Sequence, residues 1–197
     1  MRPPLDDTAL DTAFREARTH YGFRDVALDE ATLRRLYDLL KWGPTSMNSQ
    51  PARYVFVTSL VGKSRLLPAL SEGNRDKARE AAATVIVATD TRFYEHLPTQ
   101  FPGSPNARAH FADDPVKAAD TAWRNATLQG GYLIIAARML GLDVGPMSGF
   151  DRPMVDEEFF PDGRYQSNFL VNLGVGDPAS LRRRGPRLAF DEVAQVV

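Results

Sequence analysis

Trp42-Gly43-Pro44-Thr45-Ser46-Met47-Asn48-Ser49-Gln50-Pro51 joins a helical pattern to a strand pattern, and its reading decides the fold. Upstream, the run from Leu33 to Trp42 carries apolar residues at 33, 36, 39 and 40, which is helical spacing. Gly43-Pro44 stops that helix, because proline has no N–H to donate and disfavours helical geometry in the residue before it. Four short polar side chains follow, Thr45, Ser46, Asn48 and Gln50, and Pro51 closes the stretch before the β-rich Tyr54-Val55-Phe56-Val57. A rigid loop rich in hydroxyls and amides and free of charge suits the rim of a neutral polar heteroaromatic ligand. The same composition also makes an ordinary Ser/Asn/Pro connection.

Outward from the loop, the pattern predicts a helix over Thr8 to Arg18 with Ala13, Phe14 and Ala17 on its buried side. An irregular exit follows through Arg18-Thr19-His20-Tyr21-Gly22-Phe23. Asp29 reads as the N-cap of the helix that ends at Trp42. Strands are expected at 53–58, 84–89 and 168–174, and short helices over Gly62 to Leu70, Arg75 to Ala83 and from Asp151 or Pro153 to Phe160. Residues 90–115 scatter Phe93, Tyr94, Phe101 and Phe111 among prolines without a period, a flexible excursion that serves as a lid or as surface packing. Ala118 to Leu140 is the longest helical signal, and Gly141 ends it. Its Ala122, Ala126, Gly130 and Gly131 permit close approach of another backbone, in a central core helix or in a dimer seam. Helices outnumber strands and no regular βαβ alternation emerges, so the class is α+β.

At 197 residues the chain fits one domain, spanning 1–197. Apolar content of 43%, charged content of 25% and a net charge of −1 give no footprint for nucleic acid or for a charged membrane surface. The absence of cysteine removes disulfides, thiolate nucleophiles and thiolate metal sites. Apolar runs fall short of a membrane span, and acids stand where a signal peptide would carry its apolar stretch, so a cytoplasmic location is expected. His20, His96 and His110 lack metal-ligand spacing with carboxylates, and no metal is proposed. Gly174-Val175-Gly176 is followed by Asp177-Pro178-Ala179 and does not continue as a dinucleotide fingerprint.

Four further segments carry chemistry. Arg18-Thr19-His20 offers a guanidinium fork that matches phosphate oxygens, or a solvated helix exit. Asn74-Arg75-Asp76-Lys77 is a charged helix start. Gly145-Pro146-Met147-Ser148-Gly149-Phe150-Asp151 is a Gly/Pro-rich turn where a backbone could approach a ligand with no Cβ between. The tail Arg182-Arg183-Arg184-Gly185-Pro186-Arg187 reads as a solvated face or an oligomer contact.

Taken in order, these segments resemble the FMN-dependent nitroreductase family. Pro44-Thr45-Ser46-x-Asn48-x-Gln50-Pro51 is similar to its Pro-Ser-Ser-x-Asn-x-Gln-Pro-Trp loop, and Arg18-Thr19-His20 to its Arg-x-Ser-x-Arg-x-Phe opening. Tyr21 replaces the second basic residue if Phe23 is aligned, and the segment is one residue short if Arg18 is. The resemblance implies a central, mostly antiparallel sheet flanked by helices in an intertwined homodimer, with FMN bound between subunits and NADPH or NADH as reductant. Arg18, Thr19, His20, Arg184 and Arg187 would hold the phosphate end, with Arg182 and Arg183 left to solvent. Asn74 and Lys77 would contact the ring and ribityl chain, and Pro146, Met147, Ser148 and Gly149 the ring edge, with the Gly149 backbone at N5. Pro44, Thr45, Ser46, Asn48 and Gln50 would complete the cofactor site. Ser148 stands where the family usually has Glu. Lys41-Trp42-Gly43-Pro44-Thr45-Ser46, Ser49-Gln50-Pro51-Ala52-Arg53 and the 145–151 segment further resemble the branch containing the malonic semialdehyde reductase of the Rut pyrimidine-degradation pathway. That branch implies a small aldehyde acceptor, against a nitro or enone acceptor on the same scaffold or a non-catalytic FMN-binding protein. A substrate carboxylate would need a cation, with Arg53, Arg124 and Arg152 as candidates.

Overall fold

The computed structural model describes residues 3–197; Met1 and Arg2, at the head of the expected domain, lie outside the described residues. Helices α1 (Asp7–Leu10), α2 (Glu30–Leu40), α3 (Leu60–Leu66), α4 (Glu72–Glu80), α5 (Leu97–Gln100), α6 (Ala107–Ala112), α7 (Pro115–Met139), α8 (Arg152–Phe159) and α9 (Phe190–Val193) surround strands β1 (Ala52–Val57), β2 (Ala83–Asp90), β3 (Asp143–Met147) and β4 (Tyr165–Gly174). The sheet runs in the order β1-β2-β4-β3. Every neighbouring pair is antiparallel. This is an α+β fold.

β2 is buried along its whole length, as its unbroken apolar run requires of a central strand. Its alternation divides the core. Val85 and Val87 face Leu36 and Leu40 of α2 and Leu133 and Ala137 of α7. Ile86 and Ala88 face the opposite layer with Leu66, Ala78 and Val155, from α3, α4 and α8. Asp29 caps α2 by accepting from the Thr32 N–H at 2.8 Å. The helix ends at Leu40 and leaves Trp42 78% exposed.

α7 is keyed to the sheet at one notch. A Cβ on Gly130 would stand 2.6 Å from Cε1 of Phe169 on β4, so only glycine lets that ring cross the helix. On the same helix the Asn125 and Gln129 carboxamides accept from the Ser46 and Ala52 N–H groups at 2.8 and 2.9 Å. Gly141, with φ of +76°, ends the helix in the left-handed region that glycine adopts without penalty.

Three expectations are corrected. Residues 143–147 form a fourth strand and not a turn: β3 is the edge strand of the sheet, with β4 as its one strand neighbour, and an edge is where a proline such as Pro146 is tolerated. The excursion after β2 is folded, with Phe93, Leu97 and Phe111 buried against Ala118 and Ala122 of α7. Phe14 is exposed, because the chain passes from α1 into a π-helical turn over Asp11–Arg15 that turns Ala13 inward instead. Among the described residues no helix is long and apolar enough to cross a membrane.

Candidate functional site

Thr19 pairs with Val144 of β3, and the His20 N–H donates to the Val144 carbonyl at 3.0 Å. Past β4 the chain turns back, the Asp177 N–H donating to Gly22 O at 3.0 Å, so the arginine tail runs beside Arg18. Between them lies a cavity of ≈ 220 Å³ lined by Arg18, Thr19, Tyr21, Arg138, Arg182, Arg183, Arg184 and Arg187, with no carboxylate in its walls among the described residues. Arg18 donates to the Arg182 carbonyl, and Arg184 to Ala17 O at 3.0 Å, so two guanidinium groups are pinned by backbone and left without counter-charge there. The Tyr21 ring carries Arg182 at 4.3 Å and Lys77 at 5.2 Å from its centroid. Burial pushes the Lys77 ammonium below its ordinary pKa, and Arg182 adds repulsion. Burial likewise lowers Arg138, helped by Arg184 and opposed by Asp143. Cations held together at such a penalty fit a phosphate dianion, which supplies charge and acceptors together.

Of the residues expected at this end, Arg18, Thr19, Arg184 and Arg187 line the cavity. Arg182 and Arg183, expected in solvent, line it too. His20 does not. Its ring is 6% exposed, occupies the space that a side chain on Gly176 would fill, and places Nδ1 3.4 Å from Asp143 Oδ1. It borders a neighbouring cavity of ≈ 190 Å³ instead.

Asn74 and Lys77 lie three residues apart on α4, hence on one face of it. Asn74 Nδ2 donates to the Gly149 carbonyl at 2.7 Å, and the Ser71 N–H donates to the same oxygen at 3.0 Å. A Cβ at 149 would stand 2.7 Å from Asn74 Nδ2 and 2.9 Å from Ser71 Oγ, so the chain's own packing demands glycine there. α4 thereby connects the Gly149 turn with Tyr21 and the arginine cavity. Ser148 is exposed, whereas Pro146 and Met147 belong to β3, and the Met147 side chain is buried in the core.

The loop at 44–51 is held rigidly. Met47, Asn48 and Gln50 have φ of 52°, 50° and 41°, conformations that cost non-glycine residues energy and persist only when surrounding bonds enforce them. Those bonds are present: Asn125 accepts from Ser46, Thr45 Oγ1 from the Gln50 N–H at 3.1 Å, and Gln100 O from Asn48 Nδ2 at 2.9 Å. Pro44, Ser46 and Asn48 remain exposed. The loop enters β1 at Ala52, whose partner is Thr89, at one sheet edge. Thr19 lies beside Val144 of the other edge strand, with β2 and β4 between. A single chain therefore does not bring this loop to the arginine cavity.

Two features escaped the sequence reading. Arg138 joins the cavity from the last turn of α7, and its charge at the end of the apolar run Leu133-Ile134-Ile135-Ala136-Ala137 was the available signal. Asp90, fully buried, accepts from Arg53 at 2.6 Å and from Arg164 at 3.2 Å, which holds the Arg164 guanidinium above its ordinary pKa. Nothing in the sequence around Asp90 marked it.

An α+β sheet with this order, a cationic cavity at one corner and a strained amide loop at the other define a class, and comparison with known proteins agrees. The nitroreductase family model matches residues 14–175. The chain belongs to the nitroreductase family. A Burkholderia lata protein with the provisional name NADH dehydrogenase/NAD(P)H nitroreductase is 55% identical over 192 residues, covering 98% of each chain. A Xanthomonas oryzae protein of the same provisional name is 54% identical over 195 residues, 99% of each. Among solved structures, a provisionally assigned nitroreductase of Exiguobacterium sibiricum in complex with FMN superposes with a TM-score of 0.84 at 18% identity, covering 100% of this chain and 99% of its own. A gut-bacterial enone reductase of fatty acid saturation superposes at 0.83 and 17% identity, covering 98% of this chain and 100% of its own. At such identities these two establish the fold alone.

Proposed function

We propose that this chain is an FMN-dependent NAD(P)H oxidoreductase that acts as a homodimer. The observation that carries the reading is the arginine cavity: Arg18, Arg138, Arg184 and Arg187 converge with no carboxylate among the lining residues. Beside them, Lys77 is held below its ordinary pKa by burial. This environment is matched to a phosphate monoester. The FMN-bound Exiguobacterium relative in fold and the provisional NAD(P)H nitroreductase names of the close relatives support the same cofactor and reductant.

Arg18, Arg184 and Arg187 would hold the phosphate, Lys77 would serve the ring and ribityl chain, and the Gly149 turn would serve the ring edge. Asn74 and Ser71 fix that turn through the Gly149 carbonyl. Bound FMN would supply hydride-transfer chemistry between NAD(P)H and a second substrate, and the side chains of this chain would supply placement and hydrogen-bond donors. The polar loop comes from a second copy, because each chain holds Thr45, Ser46 and Gln50 at the wrong corner for its own cavity. Trp42, Leu39, Leu128 and Tyr132 are exposed along α2 and α7, an apolar face suited to that copy.

The second substrate is proposed to be malonic semialdehyde, reduced to 3-hydroxypropionate, on the strength of the branch motifs. Of the candidate cations for its carboxylate, Arg53 is committed to Asp90 and Arg124 to Asp120. Arg152 stacks on Trp123 at 4.6 Å, donates to Ser167 O, and stands three residues from Gly149, so it is assigned the role. The alternative acceptor is a nitroaromatic or enone, which the names of the relatives favour. The test is a visible spectrum of the purified protein followed by stopped-flow reoxidation with aldehydes, nitroaromatics and enones. A colourless protein that fails to bind added FMN ends the reading, and faster reoxidation by nitroaromatics or enones selects the alternative acceptor.

A further inference from the structure

The Tyr21 ring gathers two cations that distant parts of the chain bring to it. Arg182, from the tail, lies 4.3 Å from its centroid, and Lys77, from α4, lies 5.2 Å away. Both are within the reach at which the negative face of an aromatic ring attracts a cation. The backbone on either side of Tyr21 is tied down. The His20 N–H donates to Val144 O at 3.0 Å, the Gly22 carbonyl accepts from the Asp177 N–H at 3.0 Å, and the Phe23 N–H donates to the Glu80 carboxylate at 3.3 Å. Glu80 is three residues from Lys77 and hence on the same face of α4. Arg18 donates to the Arg182 carbonyl, which fixes the backbone behind that guanidinium. Tyr21, Arg18 and Arg182 all stand in the wall of the arginine cavity, where the described residues offer Arg182 no carboxylate.

Two like charges kept beside one ring repel each other, and burial adds to the penalty for Lys77. Holding them together works against folding, whereas an incoming dianion offsets the repulsion and accepts from both. An aliphatic side chain at 21 would occupy much of the same space and attract neither cation. Aromatic character is therefore the property in use. We propose that Tyr21 is a positioning residue of the anion site, its ring holding Arg182 in the cavity wall and Lys77 beside it before a phosphate monoester arrives. The proposal deepens the flavin reading and rests on it for the identity of the ligand, FMN.

The test is a set of fluorescence titrations with FMN and riboflavin on Tyr21→Phe, Tyr21→Leu, Arg182→Ala and the double variant Tyr21→Leu/Arg182→Ala. Tyr21→Leu should weaken FMN by about two- to tenfold, the worth of one or two exposed cation–π contacts, and leave riboflavin unchanged. Tyr21→Phe, which keeps the ring, should bind FMN as the wild type does. Arg182→Ala should cost less in the Tyr21→Leu background than in the wild type, because the guanidinium has already lost its support. The proposal is overturned by no effect of Tyr21→Leu, by equal loss of FMN and riboflavin, by a loss in Tyr21→Phe as large as in Tyr21→Leu, or by an undiminished effect of Arg182→Ala in the double variant. Calorimetry of the same variants with phenyl phosphate, a monoester without a flavin, separates the two readings. Failure of FMN to bind ends the flavin reading, and phenyl phosphate then decides on Tyr21 by the Tyr21→Phe and double-variant criteria. Absence of saturable binding of both phosphates overturns the proposal as well.

Discussion

Asn74 holds the Gly149 carbonyl at 2.7 Å from across the α3–α4 junction, and a side chain at 149 would collide with the amide that does so. Gly149→Val should therefore displace the turn at modest expense in folding, because the colliding atoms are the movable ends of Asn74 and Ser71. A displacement of about 1 Å can lower a positioned reaction by roughly 100-fold. Stopped-flow FMN reduction by NAD(P)H should fall by about that factor while thermal unfolding shifts by only a few degrees; reduction at the wild-type rate would move the ring edge elsewhere. Asn74→Ala, which removes one of two donors, should cost about 0.5–1.5 kcal/mol of turn stability and produce a smaller loss.

Arg187→Ala and Arg18→Ala should each weaken FMN binding by about tenfold to a hundredfold, as expected for a lost charge-assisted hydrogen bond. Because both line one cavity, their combination should be less than additive. Arg182→Ala and Arg183→Ala should have smaller but measurable effects, since both residues also line it. Riboflavin, which has no phosphate, is the control in fluorescence titrations. Equal loss of FMN and riboflavin affinity in Arg187→Ala would assign the tail to folding or assembly.

Lys77 gives a pH signature. Its pKa is lowered in the fold by burial and by Arg182. Between that lowered value and the ordinary 10.5, the unfolded chain binds more protons, so the stability of the FMN-free protein should rise with pH in this alkaline window. A phosphate nearby favours the ammonium and raises its pKa. FMN binding should then take up protons within that window, and affinity should fall as pH rises through it. Calorimetry in two buffers of different ionisation heat measures the uptake. Lys77→Met should abolish it and stabilise the FMN-free protein; uptake that persists in Lys77→Met would assign the titration to another group.

Asp90→Ala should be among the most damaging single changes. It leaves Arg53 without the fully buried carboxylate it is paired to, and Arg164 with Glu95, at 3.1 Å, as its remaining partner. Breaking such a pair costs about 3–5 kcal/mol, which urea unfolding would resolve. A loss below about 1 kcal/mol would mean that water replaces the carboxylate.

The sequence was most readable where local rules and tertiary packing agree. Asp29 capped its helix, β2 showed an unbroken apolar run, and Gly141 closed α7. Edge strand β3 stayed hidden because Gly145-Pro146 carries the composition of a turn, and only the partner strand explains why proline is tolerated there. The excursion stayed hidden because Phe93, Leu97 and Phe111 bury themselves against a helix later in the chain and not against one another in a period. Arg18, Thr19, Arg184 and Arg187 line one cavity, whereas His20 turns into the space left by Gly176, a pairing across the chain that no local spacing encodes.

The contact of Gly130 with Phe169 acts as a gauge for the loop it never touches. It sets how closely α7 lies on the sheet, and the Asn125 and Gln129 carboxamides, borne by that same helix, are what hold Ser46 and Ala52. The shape of the 44–51 loop is thus inherited from a helix–strand spacing as well as from its own residues. Grafting a relative's loop sequence into this chain should transfer its behaviour only if positions 130 and 169 travel with it. A selection for altered loop chemistry should return substitutions at these two sites, epistatic with the loop and invisible to any library confined to it.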